Sequence, residues 1–319
     1  MENRRSAFKM SLTSQYKKCL QTKFKNRALF DEPMSLHTSF KIGGNADAYI
    51  YPKNIREIAE LVKFVKKENI PFFIKGGGSN LLVKDKGIRG VTIDLQKYFN
   101  TISIAKKRAK TVNITAMAGV KIATLTSVAL KYGLRGFEFA YGIPGTIGGA
   151  IYGNAGTGLG SVEKILNNVI IVDENGEIKK IEKKEMDFSY RKTSFKNYNS
   201  PIIVESSLSF SVGEPNEVKK NAGQIIKERK KKQPLTEYCA GCFFKNPEGE
   251  KSAGALIELA GLKGKILENA AISEKHANFI INRSNATARQ ILNLAELIRN
   301  RVKKKFSIEL QLEVKIVGD

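Results

Sequence analysis

Two glycine-rich runs contain residues whose types and spacing could do chemistry. The first run follows a predicted strand at 71–75 and consists of Gly76, Gly77, Gly78, Ser79 and Asn80, with Leu81 next. Consecutive glycines let backbone N–H groups approach an anion closely. No helix is predicted after this run, so it matches neither the dinucleotide fingerprint nor the P-loop. On its own it is more typical of a flexible turn than of a ligand site.

The second glycine-rich run is denser and lies at 142–156. It contains Gly142, Ile143, Pro144, Gly145, Gly148, Gly149, Gly153, Asn154 and Gly156. Proline presets φ, and glycine permits positive φ and close backbone approach. Ordering so many glycines between structured segments costs conformational entropy. The density therefore favours a binding role over a plain loop.

A third candidate is the Cys-x-x-Cys pair Cys239 and Cys242. This spacing is found in redox pairs and in halves of zinc sites. A second cysteine pair is lacking, and Cys19, His37 and His276 lie far away in sequence and do not complete a site. The strand-to-helix setting of a thioredoxin motif is not evident either. We therefore expect neither metal binding nor dithiol chemistry at this pair.

Composition limits the class of protein. The chain has 319 residues, of which 42% are hydrophobic and 27% are charged, which is typical of a globular protein of roughly two domains. No apolar run approaches the roughly 20 residues that span a membrane. The basic N-terminus lacks the apolar region of a secretory signal. Three cysteines do not make a disulfide framework, so we expect a cytoplasmic protein.

The formal net charge is +23, which would attract anions such as nucleic acid. The basic runs are separate and carry no interleaved aromatic residues: Lys106–Arg108, Lys183–Lys184, Arg229–Lys232 and Lys303–Lys305. This scatter favours a lysine-rich solvated surface over a nucleic-acid footprint. A small substrate that carries phosphate would also fit the charge.

The elements that must position these residues indicate an α+β protein. Helices are predicted from Asn54, at 122–132 with Gly133 as its end, at 218–232, at 253–260 and from Thr287. Strands are predicted at 71–75, 81–83, 91–95, 101–104, 112–116 and 308–317, and a hairpin at 170–181 around Asn175-Gly176. A change of pattern near Glu214-Pro215 suggests two parts, preceded by a basic lead-in at 1–28.

The order of several short motifs resembles the UDP-N-acetylenolpyruvoylglucosamine reductase family. The matching segments are 40–47, 76–83, 142–150, 190–191, 240–247, 273–279 and 312–314. Each segment alone is a weak signal. Together they follow the family's order over nearly the whole chain after about residue 30, which makes the set specific.

The resemblance implies a vanillyl-alcohol-oxidase-like (PCMH-type) two-part FAD-binding domain at 29–214 and a smaller α+β substrate domain at 215–319, after a basic extension at 1–28. In that family the two glycine loops hold the FAD pyrophosphate, which here assigns cofactor binding to Gly76, Gly77, Gly78, Ser79, Asn80, Leu81, Gly142, Ile143, Pro144, Gly145, Gly148, Gly149 and Asn154. Neither loop contains the histidine found near such loops in covalent flavoproteins, so we expect non-covalent FAD.

The resemblance also implies a reaction. NADPH gives a hydride to flavin N5, which delivers it to the vinyl carbon of UDP-N-acetylglucosamine-enolpyruvate and yields UDP-N-acetylmuramate for peptidoglycan, and hence for cell shape and division. Charge then develops on the substrate carboxylate and needs preorganised donors. Arg191 and Glu313 match the family's arginine and glutamate, and Glu313 could donate if its pKa is raised. Without the resemblance, a surface ion pair and an edge-strand charge are the simpler interpretations.

The final proton is assigned to Cys242, at a position where the family usually has serine. A thiol with a pKa of about 8.5 is mostly protonated at neutral pH and is a stronger acid than a hydroxyl. Cys239 stands where many relatives have proline, and its oxidation together with Cys242 could disable the donor.

Further positions are carried over from the family. Tyr190, Lys245 and Asn246 match positions that contact the UDP-sugar or the nicotinamide cofactor. His276 lies in a substrate-side stretch, although a buried hydrogen-bonding histidine fits the sequence equally well. The short segment between Val204 and Pro234 resembles the branch that lacks an extra tyrosine loop.

As partners we expect only the UDP-sugar substrate and NADPH, with no nucleic acid or membrane, and a monomer. The alternatives are a flavin oxidase of the same superfamily and a basic nucleic-acid-binding protein.

Overall fold

The computed structural model describes residues 12–105, 110–249 and 251–319. The basic run at Lys106–Arg108 and the first part of the predicted lead-in therefore lie outside the described residues.

The helices are α1 (Ser14–Phe24), α2 (Ile55–Lys67), α3 (Ile122–Tyr132), α4 (Ile147–Tyr152), α5 (Pro215–Lys232), α6 (Ala253–Leu259) and α7 (Ala288–Phe306). The strands are β1 (Ala28–Pro33), β2 (Asn45–Ile50), β3 (Phe72–Lys75), β4 (Leu81–Val83), β5 (Ile88–Asp94), β6 (Ile102–Ile104), β7 (Thr111–Met117), β8 (Leu134–Arg135), β9 (Gly156–Thr157), β10 (Gly160–Ser161), β11 (Leu166–Val172), β12 (Ile178–Glu182), β13 (Met186–Ser189), β14 (Lys192–Phe195), β15 (Ile202–Val212), β16 (Tyr238–Cys239), β17 (Ile266–Leu267), β18 (Ala270–Ile272), β19 (Ile280–Asn282) and β20 (Lys315–Val317).

The first sheet has the strand order β1-β2-β5-β3. Strands β2, β5 and β3 run parallel, and α2 provides the crossover that parallel strands require. Asn54 caps α2 with its side chain, and Ile58, Val62 and Val65 form the buried face of the helix. Because the three parallel strands end at one edge, the first glycine run leaves the sheet at that edge, directly after β3.

The second sheet has the order β12-β11-β15-β7-β6 and is antiparallel throughout. The predicted hairpin is confirmed as β11 and β12, with Gly176 at a φ of +74° in the turn. The predicted end of α3 is also confirmed, since Gly133 is left-handed there. One hydrophobic core joins the two sheets.

The C-terminal part has its own core. Its sheet, β16-β19-β18-β17, packs with α6 and α7, and α7 begins with a full capping box between Thr287 and Gln290. Phe40 and Leu82 from the first half of the chain join this core. The two parts are therefore tied together by packing as well as by the chain.

The predicted strand at 308–317 is wrong in length. Only Lys315–Val317 forms a strand, and it pairs in parallel with β4. The preceding residues run beside 243–245 instead: the Lys245 N–H donates to the Gln311 carbonyl at 2.8 Å and the Glu313 N–H donates to the Phe243 carbonyl at 2.9 Å. The sequence predicts one long strand because the whole segment is extended, and only its pairing partner changes within a few residues.

The packing at both domain borders adds detail to the predicted boundaries, which stay predictions. Helix α1 buries Leu20 and Phe24 in the first core, so part of the basic lead-in packs with the FAD-binding part. Helix α5 begins at Pro215 and buries Val218 and Ala222, the second of these in the first core.

Candidate active site

The two glycine runs lie against each other. A Cβ atom on Gly77 would come within 2.7 Å of the Gly145 Cα atom, and one on Gly76 within 2.8 Å of Thr146 Oγ1. The Ser79 hydroxyl donates to the Pro144 carbonyl at 3.2 Å. The runs therefore meet through backbone and through the Ser79 and Thr146 hydroxyls, with no room for larger side chains. Backbone and small polar groups of this kind suit an anion such as a pyrophosphate.

The first run also contacts the C-terminal part. Ser39 links the two, since its N–H donates to the Gly78 carbonyl at 3.1 Å and its hydroxyl donates to the Cys239 carbonyl at 2.6 Å. The Asn80 amide donates to the Glu313 carbonyl at 3.2 Å. The loop therefore lies beside the two segments that carry Cys242 and Glu313.

The second run contains a short helix, α4, that its glycine-rich sequence does not predict. Thr146 caps it by accepting from the Gly149 N–H at 3.4 Å. Asn154, at a φ of +40°, uses its amide within the protein: it donates to the Ser189 carbonyl at 3.1 Å and accepts from the Glu163 N–H at 3.4 Å. Asn154 therefore connects the second run to the β13–β14 hairpin.

Arg191 lies in the two-residue turn of that hairpin, at a φ of +57°. Its Nε donates to Glu313 Oε1 at 2.7 Å and its Nη1 donates to the Gly156 carbonyl at 2.7 Å. The two side chains are only 27% and 15% exposed. Burial raises the pKa of Glu313, although the charges of Arg191 and Lys245 oppose the shift. The structure thus brings Arg191 and Glu313 together in a largely buried pair, which differs from two separate surface charges.

Cys242 lies close enough to Arg191 and Glu313 for both of their charges to act on its thiol. Burial raises the pKa of its thiol to about 12, and the charge of Glu313 adds to the shift, whereas Arg191 and Arg229 oppose it. The thiol is therefore protonated at neutral pH. Burial also raises the pKa of Cys239, and both cysteines are free. Within the described ranges, no group of three or more His, Cys, Asp or Glu side chains is placed to hold a metal ion.

Comparisons with known proteins agree with this geometry. A family model described as an FAD binding domain matches residues 46–182, which include both glycine runs. The C-terminal domain model of UDP-N-acetylenolpyruvoylglucosamine reductase matches residues 233–317. The reductase of that name from Desulfosudis oleivorans is 41% identical over 308 residues, which are 95% of this chain and 98% of the relative. The chain belongs to the UDP-N-acetylenolpyruvoylglucosamine reductase family.

Two further members of this reductase family support the assignment. The reductase from Caldanaerobacter subterraneus subsp. tengcongensis is 45% identical, over 91% of this chain and 93% of the relative. The crystal structure of UDP-N-acetylenolpyruvylglucosamine reductase from Thermus caldophilus superimposes with a TM-score of 0.76 at 30% identity, covering 91% of this chain and 98% of that one. The predicted family, the two-part FAD-binding fold and the FAD cofactor are confirmed. Of the helices in the described residues, none has the length and apolar character needed to cross a membrane.

The structure adds Arg229 to the site of this reductase-family chain. The sequence places Arg229 in a basic run that we interpret as solvated, but its Nη1 donates to the Tyr141 carbonyl at 2.9 Å beside the second glycine run. Burial lowers the pKa of its guanidinium, and its own charge acts on the Cys242 thiol. Helical spacing could have found it, because Val218, Ala222 and Ile225 place Arg229 on the apolar face of α5.

The remaining predicted substrate contacts are more scattered, and their roles stay predictions. Lys245 is close enough to Glu313 to lower its pKa. Asn246 accepts from the Ala253 N–H at 3.0 Å at the start of α6. His276 accepts from the Asn278 N–H at 3.2 Å, and burial lowers its pKa, so it is a neutral hydrogen-bonding histidine. Tyr190 is 53% exposed beneath the Arg191 guanidinium.

Proposed function

We propose that this chain reduces the enolpyruvyl ether of UDP-N-acetylglucosamine-enolpyruvate to UDP-N-acetylmuramate, with FAD as cofactor and NADPH as hydride donor. The observation that carries the proposal is the Arg191–Glu313 pair. It joins the FAD-binding part to the C-terminal part in the surroundings of a protonated thiol, Cys242. A simple flavin oxidase has no need of this arrangement of acids beside the glycine loops.

The glycine runs fit the cofactor. The two runs are too close for further side chains between them, so peptide N–H groups along the runs would hold the pyrophosphate non-covalently. In the second run, the N–H groups of Ile143, Ile147 and Gly148 already donate to backbone carbonyls, so we assign this role there to the other peptide N–H groups of the run. FAD, when bound, would take a hydride from NADPH and pass it to the vinyl carbon of the substrate. The positive charge of the chain would attract FAD, NADPH and the UDP-sugar, which all carry phosphates.

The substrate carboxylate is assigned to Arg191 and Glu313. Nε and Nη1 of Arg191 are held by Glu313 and the Gly156 carbonyl, so the guanidinium is oriented by the protein and its Nη2 is the group that we assign to the substrate. Burial raises the Glu313 pKa and so favours the protonated carboxyl. In that form the acid would donate to the charge that develops on the substrate, and it would no longer add to the pKa shift of Cys242.

Cys242 is assigned as the general acid. A thiol whose pKa is raised to about 12 keeps its proton until the substrate becomes basic enough to take it. The neighbouring positive charges of Arg191 and Arg229 then stabilise the thiolate that remains. The acid and its stabilising charges thus come from three separate segments of the chain.

The visible absorption spectrum of the purified protein tests the function. We expect a flavin spectrum that NADPH bleaches and that the enolpyruvyl substrate restores under anaerobic conditions. A flavin spectrum that NADPH does not bleach would favour a flavin oxidase, and bleaching that the enolpyruvyl substrate does not reverse would refute the proposed substrate. A preparation that stays colourless after FAD is added and binds DNA with a steep salt dependence would favour a nucleic-acid-binding protein.

We further propose that the enzyme acts as a cytoplasmic monomer. The low cysteine content suits a reducing compartment, and all the groups assigned to the reaction come from one chain. Light scattering is expected to give about the chain mass of 35.4 kDa; a dimer mass would contradict the proposal.

A further inference from the structure

Asn278 makes an unusual set of hydrogen bonds with the segment that follows Cys242. Its carboxamide accepts from the Phe244 N–H at 2.9 Å and donates to the Phe244 carbonyl at 2.8 Å. Its own carbonyl accepts from the Phe243 N–H at 2.7 Å. Asn278 is only 2% exposed, so water does not compete for these groups. Asn278 therefore pairs with the backbone N–H and carbonyl groups of two consecutive residues, as a neighbouring β-strand would.

The opposite side of the same segment is held by the strand that carries Glu313. The Phe243 carbonyl accepts from the Glu313 N–H at 2.9 Å. The rings of Phe243 and Phe244 are buried and contact each other edge to face at 5.3 Å. Cys242, directly before Phe243, is thus positioned toward Glu313 by a segment clamped between Asn278 and the C-terminal strand.

We propose that Asn278 is a positioning residue for the proton donor, acting through the Phe243–Phe244 backbone to place the Cys242 thiol at the reacting carbon. The inference rests on the proposed function, in which Cys242 supplies the proton. Asparagine suits the position because its short amide offers a donor and an acceptor at once. Aspartate lacks the donor when ionised, and glutamine displaces both groups by one methylene.

Asn282 provides a matched control. It is 7% exposed and lies on the adjacent strand β19. Its carboxamide also bridges two backbone groups, donating to the Phe40 carbonyl at 2.9 Å and accepting from the Ala286 N–H at 2.9 Å. Removing its side chain therefore costs the same kind of buried hydrogen bonds but none of those to the Phe243–Phe244 backbone. Its link to that segment is indirect, through the Phe40 ring, which lies 6.4 Å from the Phe243 ring.

The test separates the two halves of the reaction in FAD-loaded enzyme by rapid mixing. Bleaching by NADPH needs no protein acid, whereas reoxidation by the enolpyruvyl substrate needs Cys242. We expect Asn278→Ala to slow reoxidation by about 10–100-fold, the scale of an ångström-sized misplacement, and to leave bleaching nearly unchanged. Asn282→Ala is expected to lower the unfolding temperature comparably and to keep the wild-type ratio of the two rates.

Two further measurements show whether Asn278 acts through the thiol. In a Cys242→Ala background, Asn278→Ala should add little further loss, because the group that it positions is absent. If flavin fluorescence shows that the alanine variant does not bind FAD, Asn278→Gln, which keeps both amide groups, replaces it. This variant should also slow reoxidation and leave bleaching nearly unchanged. Wild-type reoxidation in Asn278→Gln, additive losses in the double variant, or equal slowing in Asn282→Ala would overturn the inference. Wild-type enzyme that the substrate never reoxidises would instead refute the proposed function.

Discussion

A buried ion pair lies directly beneath the first glycine run. Lys75 and Asp94 end the paired strands β3 and β5, face each other in register and are each 3% exposed. The Lys75 ammonium donates to Asp94 Oδ2 and to Gln96 Oε1, both at 2.9 Å. The Tyr49 hydroxyl donates to the same Asp94 oxygen. Because Gly76 follows Lys75, the pair determines where the loop begins.

We predict that Asp94→Asn is strongly destabilising. The substitution leaves the Lys75 ammonium buried without a counter-charge, which costs about 3–5 kcal/mol in comparable pairs. The Gln96 carbonyl remains as an acceptor, so we take the lower value, about 3 kcal/mol. At roughly 2 °C per kcal/mol for a chain of this size, the unfolding midpoint should fall by about 6 °C.

The double variant Lys75→Met, Asp94→Asn distinguishes an ion pair from a general packing effect. It removes both charges and keeps one side-chain oxygen at position 94 for the two groups that donate to Asp94, the Tyr49 hydroxyl and the Gln96 N–H. The loss of the second oxygen costs roughly 1–3 kcal/mol, as it does in Asp94→Asn, but no uncompensated charge remains. Thermal unfolding should therefore rank the double variant above Asp94→Asn in stability. Glu258→Gln, which breaks the exposed pair with Lys263, should leave the midpoint nearly unchanged. A double variant less stable than Asp94→Asn, or an Asp94→Asn midpoint equal to wild type, would refute the reasoning.

Four other changes test the site. Cys242→Ser should keep measurable turnover, and Cys242→Ala should lose about 10²–10⁴-fold; an alanine variant at the wild-type rate would exclude the thiol as donor. Because burial raises the Cys242 pKa to about 12, its contribution to stability is present below the unfolded pKa of about 8.5 and is lost as the pH rises through the folded pKa. Denaturant melts at pH 8 and pH 10 should show that loss, and the loss should be smaller in Cys242→Ser, in which only the raised pKa of Cys239 remains at this cysteine pair. Arg229→Met should lower turnover by making the thiolate less stable, whereas Lys230→Met, its exposed neighbour, should match wild type in steady-state assays. Gly77→Ala places a methyl group 2.7 Å from the Gly145 Cα, so a fluorescence titration should show weaker FAD binding than wild type, and unchanged affinity would contradict the close contact of the two runs.

The sequence predicts the elements that depend on local signals. Gly133 ends α3 because it adopts the left-handed conformation that few other residues tolerate, and Thr287 opens α7 through its own side chain. The hairpin around Gly176 follows from the turn chemistry of two residues. These features are decided within a few residues of chain, so they can be read without knowledge of the fold.

The sequence does not show partners that are distant along the chain. The C-terminal strand is shorter than its apolar pattern indicates because its first half pairs with 243–245 rather than with β4. Arg229 lies within a basic run that composition alone marks as solvated, and only the packing of α5 turns it toward the site. In each case the deciding contact is with a residue far away in sequence.

The sequence by itself determined the family, the FAD-binding fold and the identity of the candidate residues, because motif order and glycine content are properties of the chain. Only the tertiary structure decided that Arg191 meets Glu313 across 122 residues and that the Cys242 thiol is buried between positive and negative charges. Burial and charge set the pKa of a group through the segments packed around it, and those segments become neighbours only when the chain folds.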